Sequence, residues 1–145
     1  MKVLVSACLL GVSCRYDGQS KSYPLMEELC RRHQVVPVCP EQLGGLPTPR
    51  VPAERQGDRV VTKTGVDVTA QYRRGAEEVL RLAQKLGCTA AVLKERSPSC
   101  GSGQIYDGTF TGTLTDGFGA AAQLLRAHGI RVMGESELAD FLAEN

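Results

Sequence analysis

Short β-branched runs alternate with helix-periodic segments along this chain, and that alternation constrains its fold more than any other feature. Residues 2–7 (KVLVSA), 35–38 (VVPV), 89–93 (TAAVL) and 130–133 (IRVM) read as strands. Residues 24–33, 71–86, 118–128 and 136–143 read as helices. Strands separated by helices pair in parallel, with right-handed crossovers and both faces of the sheet covered. The expectation is an α/β fold with a mainly parallel sheet of about four core strands, flanking helices and a small hairpin. With 145 residues, the chain suits a single domain spanning 1–145.

Local signals fix the details. Pro24 opens the first helix, whose apolar face is Leu25, Met26, Leu29 and Cys30. Ala76, Val79, Leu80, Ala83 and Leu86 give the second helix its stripe, and Gly87 is its stop. Residues 40–57 are rich in Pro and Gly, which predicts a long irregular loop of functional character. Two alternating runs in 58–69 around Thr64-Gly65 predict the small hairpin, and 107–115 suits a second. Gly117-Phe-Gly119-Ala-Ala-Ala122 matches a GxGxxA pattern but follows no convincing strand, so it reads as helix-entry packing, with an anion site as the alternative.

Charge narrows the function classes. Seventeen Lys and Arg face sixteen Asp and Glu, a balance unsuited to neutralising a nucleic-acid backbone or an anionic membrane. Seven Phe and Tyr and no Trp leave few rings for stacking along a single strand. No apolar run approaches a membrane span of about 18 residues. Val5-Ser6-Ala7-Cys8 resembles a lipidation box, but a leader of seven residues is too short, so the segment reads as a buried strand and the protein as cytoplasmic.

Six cysteines, at 8, 14, 30, 39, 88 and 100, are many for a reducing compartment and point to metal binding or thiol chemistry. Cys8 and Cys39 follow the first and second strands, and Cys100 lies in the loop after the third. Carboxyl strand ends of a parallel sheet share one edge, where ligands bind, so these three can meet in space. Three thiolates suit a cubane iron–sulfur cluster with one iron left open; packing or isolated reactive thiols remain the alternatives. Cys30 and Cys88 read as small buried hydrophobes, Cys14 as a fourth ligand or neighbouring thiol, and His33 and His128 as solvated helix ends.

Several blocks then resemble the thiouracil desulfidase (TudS-like) family. They are Ser6-Ala-Cys8-Leu-Leu-Gly11, Cys14-Arg-Tyr-Asp-Gly18, Val38-Cys-Pro-Glu through Pro-Thr-Pro-Arg50, and Lys94-Glu-Arg-Ser-Pro-Ser-Cys-Gly101. Gly65-Val-Asp-Val-Thr69, Gly75-Ala76 and Tyr106-Asp-Gly-Thr-Phe110 extend the likeness over essentially the whole chain. The resemblance implies a Rossmann-like fold and a 4Fe–4S cluster held by Cys8, Cys39 and Cys100. It also implies removal of sulfur from a thiolated pyrimidine such as thiouracil or 4-thiouridine monophosphate.

The chemistry requires water to attack a thiocarbonyl carbon while sulfide leaves, with an open iron polarising the bond. Glu41, two residues past Cys39, is the candidate to activate water or shuttle a proton. Ser97 is expected to position water or hydrogen-bond the pyrimidine, with Ser99 in reserve. Backbone amides of Gly101 and Gly103, with Arg15 and Arg50, are candidates for substrate phosphate. The expected partner is a small thiolated pyrimidine, with no nucleic acid or membrane, and the expected state a monomer or weak homodimer. A zinc- or thiol-dependent hydrolase and a non-catalytic iron–sulfur sensor or sulfur carrier are the alternatives.

Overall fold

A computed structural model describes residues 1–144. Four parallel strands, β1 (Lys2–Ser6), β2 (Gln34–Val38), β5 (Ala90–Leu93) and β8 (Arg131–Gly134), form the sheet in the order β2-β1-β5-β8. Val3, Leu4 and Val5 of β1 and all of β5 are buried, as strands covered on both faces must be. One face carries α1 (Met26–Arg32) and α5 (Leu138–Ala143), burying Leu29 and Phe141 with Val3 and Val5. The other carries α3 (Thr69–Leu86) and α4 (Ala120–Ala127), burying Val79, Ala83 and Leu125 against Leu4 and Ala91. The α/β fold with four parallel core strands is as expected.

The hairpins differ from expectation in register. Strand β3 (Ala53–Gln56) pairs antiparallel with β4 (Arg59–Thr62) across Gly57-Asp58, so the turn lies earlier than Thr64-Gly65. Residues 63–68 instead fold back beside β4, with Thr62 Oγ1 accepting the Val66 N–H at 2.9 Å. The second hairpin pairs β6 (Gln104–Tyr106) with β7 (Leu114–Asp116), and 107–113 forms its connection. The Pro/Gly-rich segment holds a regular turn too: α2 (Pro40–Leu43), with Pro40 at its start, where a missing N–H costs nothing. Cys30 is exposed on α1 rather than buried. His33 is not simply solvated, since its ring lies 5.5 Å from that of Phe141 and its Nε2 is buried.

A glycine pair seats α2 on α3. A Cβ on Gly75 would stand 2.0 Å from the Pro40 carbonyl oxygen, and one on Gly44 would stand 2.0 Å from that of Gln71. This contact positions the segment that follows Cys39. Gly75→Ala is therefore expected to destabilise the fold by roughly 1–3 kcal/mol or more, despite alanine's better helix propensity. Denaturant titration checks it; an unchanged midpoint would contradict the contact.

Candidate active site

The connections leaving the carboxyl ends of β1, β2 and β5 enclose a cavity of about 520 Å3. Cys8, Cys39 and Cys100 all line it, together with Cys14, Glu41 and Ser97. Cys8 lies in a 3-10 turn (Ala7–Leu10) directly after β1, closed by Gly11 at φ 98°. Cys39 is the extended residue before Pro40, a conformation that a following proline favours. Cys100 ends a serine-organised turn in which Ser97 Oγ accepts the N–H groups of Ser99 and Cys100, each at 3.1 Å.

The amino end of α4 clamps that turn from outside. The N–H groups of Ala120 and Ala121 donate to the carbonyls of Pro98 and Ser99 at 2.8 and 2.9 Å. A Cβ on Gly119 would come within 2.3 Å of the Ser99 carbonyl carbon. The GxGxxA segment thus packs a helix start against the Cys100 loop, and these amides are already occupied.

Electrostatics couple the thiols. Burial, then the Glu41 carboxylate, pushes Cys8 up from 9.0 to about 11 and Cys39 up to about 12. The same two causes raise Cys100 well above its ordinary value, and burial raises Cys14. Glu41 acts on all four thiols, so its carboxylate faces their common space. Without a cation the pocket favours S–H over S⁻. A folded pKa above the unfolded one stabilises the fold below pH 9.0, and that contribution is lost as pH rises through about 11. Denaturation of metal-free protein between these values checks the sign. Among the described residues no group of three or more Cys, His, Asp or Glu is arranged to hold a single metal ion.

Glu41 is held by Arg50. The Arg50 Nη2 lies 3.3 Å from Glu41 Oε2, with side-chain exposures of 7% and 13%. Its Nη1 donates to the carbonyls of Cys14 and Pro47 and to Thr48 Oγ1, each at 3.2 Å. Arg50 also lines the cavity, and its guanidinium is engaged with these protein acceptors, Glu41 among them. Arg15 lines the cavity, 3.7 Å from Asp17. Ser99, Gly101 and Gly103 are not in the lining. The Ser99 hydroxyl is buried without a hydrogen-bond partner, and a Cβ on Gly101 would strike Ile105.

Several lining residues were not among the sequence candidates, Ser6, Lys94 and Tyr72 first. Ser6 is buried, accepts the Lys94 N–H at 2.8 Å and hydrogen-bonds Cys100. Lys94 pairs with Glu135 at 3.0 Å. Tyr72, deep on α3, has its hydroxyl raised chiefly by burial. A serine closing an otherwise apolar strand, and a lysine directly after another, were the available signals. Lys21, Lys63 and Arg96 also line the cavity and have no ion-pair partner among the described residues.

A parallel sheet whose carboxyl edge gathers four thiols and one carboxylate into a buried pocket defines an α/β protein built to hold a soft-metal cofactor or to perform thiol chemistry. Comparison with known proteins narrows the class. The chain is 44% identical to YbbK of Bacillus subtilis (strain 168), described as uncharacterized, over 97% of this chain and 99% of that protein. A solved structure, the 4Fe–4S-dependent thiouracil desulfidase TudS, superposes with a TM-score of 0.91 at 52% identity, over 96% of this chain and 93% of that one. The sequence model of 2-thiouracil desulfurase matches residues 3–137. The chain belongs to the 2-thiouracil desulfurase family.

Proposed function

We propose that this protein is a 4Fe–4S-dependent desulfidase that replaces the thione sulfur of a pyrimidine by oxygen from water. The observation that carries the reading is the buried meeting of Cys8, Cys39 and Cys100 around Glu41 in one cavity. The overall change, thione plus water giving carbonyl plus hydrogen sulfide, balances without electron transfer.

The donor set fits the cluster. Thiolates are the ligands such clusters prefer, and burial makes free thiolates unfavourable here unless a cationic core neutralises them. Ligands of one zinc ion must close on a single point, an arrangement not found among the described residues, whereas a multi-iron cluster would take one thiolate at each iron. Cys8, Cys39 and Cys100 would hold three irons. When bound, the cluster would supply a Lewis-acidic iron for the thione sulfur. Cys39 Sγ lies 3.8 Å from the Cys14 carbonyl, and we assign Cys14 a supporting place beside that ligand.

Glu41, oriented by Arg50, takes the proton of the attacking water. Ser97 uses its oxygen to accept two turn amides and retains its O–H to donate to the pyrimidine. The cavity lining carries Arg15, Lys21, Arg50, Lys63, Lys94 and Arg96 against Glu41, Glu54 and Glu95, a net positive balance. That charge supports a monophosphate such as 4-thiouridine monophosphate over the free base. The abundance of thiols supports a cytoplasmic setting.

The test is anaerobic reconstitution, with iron and acid-labile sulfide counted, followed by incubation with 2-thiouracil, 4-thiouridine and its monophosphate. Loss of thione absorbance matched by released sulfide is expected, fastest for the monophosphate. A fully loaded protein that leaves all three thiones intact would overturn the reading.

A further inference from the structure

We propose that Phe110, fixed by Glu54 in a left-handed backbone conformation, is the ring face on which the planar heterocycle of the substrate stacks. The inference rests on the desulfidase reading and adds a specificity determinant to it. Four of the seven Phe and Tyr residues line this one cavity: Tyr16, Tyr72, Tyr106 and Phe110. In a chain so poor in rings, that concentration points to a flat conjugated ligand.

Phe110 differs from the other three. Tyr72 is buried and its hydroxyl is bound by Arg50, while Tyr16 is largely exposed with the Arg15 guanidinium 5.7 Å from its ring centroid. Tyr106 is held in β6. Phe110 has φ 58°, a conformation costly for a bulky side chain and normally left to Gly or Asn. The loop that carries it is fastened to β3. Glu54 Oε1 accepts the N–H groups of Gly108 and Phe110 at 2.9 and 3.1 Å, and Gln56 Nε2 donates to the Gly108 carbonyl at 3.0 Å. A Cβ on Gly108 would stand 2.7 Å from the Arg55 carbonyl oxygen, so the loop lies directly on the strand. Asp107, Thr109, Thr111 and Thr113 join their side chains in a hydroxyl ladder along the loop. Three successive residues of β3, one of them a carboxylate, thus hold one strained aromatic residue at the cavity.

The experiment compares cluster-loaded wild type with Phe110→Leu, Phe110→Tyr and Glu54→Ala. It reads KM and kcat for the thione and the dissociation constant of the product-like base uracil. Base–aromatic stacking predicts a rise of about tenfold in KM and in the uracil constant for Phe110→Leu, with the effect falling on KM rather than kcat. Phe110→Tyr keeps the ring and should remain near wild type. Glu54→Ala should raise KM similarly and also open residues 107–113 to limited proteolysis, which Phe110→Leu should not. Values for Phe110→Leu within twofold of wild type would overturn the proposal, and so would Phe110→Tyr behaving like Phe110→Leu. If loaded wild type leaves the thione intact, the desulfidase reading fails, while uracil binding still decides whether Phe110 stacks the ring.

Discussion

Cys39→Ser is expected to bind little or no cluster and to lose activity by more than about a hundredfold, since even outer partners of metal ligands are worth 10–100-fold. Cys8→Ser and Cys100→Ser should behave alike. Each thiol sits in a pocket that opposes its ionisation, Cys8 at about 11 and Cys39 at about 12. Only coordination by a cationic core makes three thiolates favourable there, and a serine hydroxyl is both less acidic and a poorer match for iron. Cluster binding also stabilises the folded state by mass action. The loaded wild type should therefore melt above its cluster-free form, and this gap should vanish in the three variants. Cys30→Ser, at an exposed thiol on α1, should load and turn over normally. Iron and labile-sulfide counts with thermal melts check the four variants against wild type. A fully loaded Cys39→Ser would remove that residue from the ligand set.

The sheet was legible because its strands carry their own signal. VLV in β1 and AAVL in β5 are buried on both faces, and an apolar run needs no partner to be recognised. The convergence of Cys8, Cys39 and Cys100 followed from topology alone, since parallel strands end on one edge. What stayed illegible depended on the third dimension. β3 reads Ala-Glu-Arg-Gln, with no apolar alternation, because its work is to grip the 107–113 loop through Glu54. α2 is a single turn stabilised by glycine contacts with α3, which no local pattern reveals. Cys30 shares a helical face with Leu29 in projection, yet the seven-residue α1 turns it outward. Arg50 was a candidate for substrate phosphate on its charge alone. Its burial beside Glu41 became visible only when the Pro40–Arg50 segment closed on itself.

Glu41→Gln should keep the cluster and substrate binding at some cost in thermal stability, because the buried Arg50 loses its counter-charge, and should lower kcat by about 10²–10⁴, the usual worth of a positioned proton-transfer group. The substitution is nearly isosteric, so Arg50 keeps a neutral acceptor at the same position, while the proton-accepting function and the negative charge are both removed. Its charge matters as well. Glu41 raises Cys8, Cys39 and Cys100 alike, so the Gln variant should hold its thiolates more easily and load cluster at least as well as wild type. Arg50→Met separates position from chemistry. The carboxylate remains, but it loses its 3.3 Å anchor, and the Cys14 and Pro47 carbonyls lose a donor. A smaller fall in kcat is expected there, together with lower thermal stability, because a buried carboxylate is left without its partner. Stopped-flow thione decay on protein of measured cluster content distinguishes the two variants. Wild-type kcat in Glu41→Gln would move proton transfer to another group on the cavity wall. Equal losses of kcat in both variants, with stability unchanged, would instead make Arg50 a direct participant.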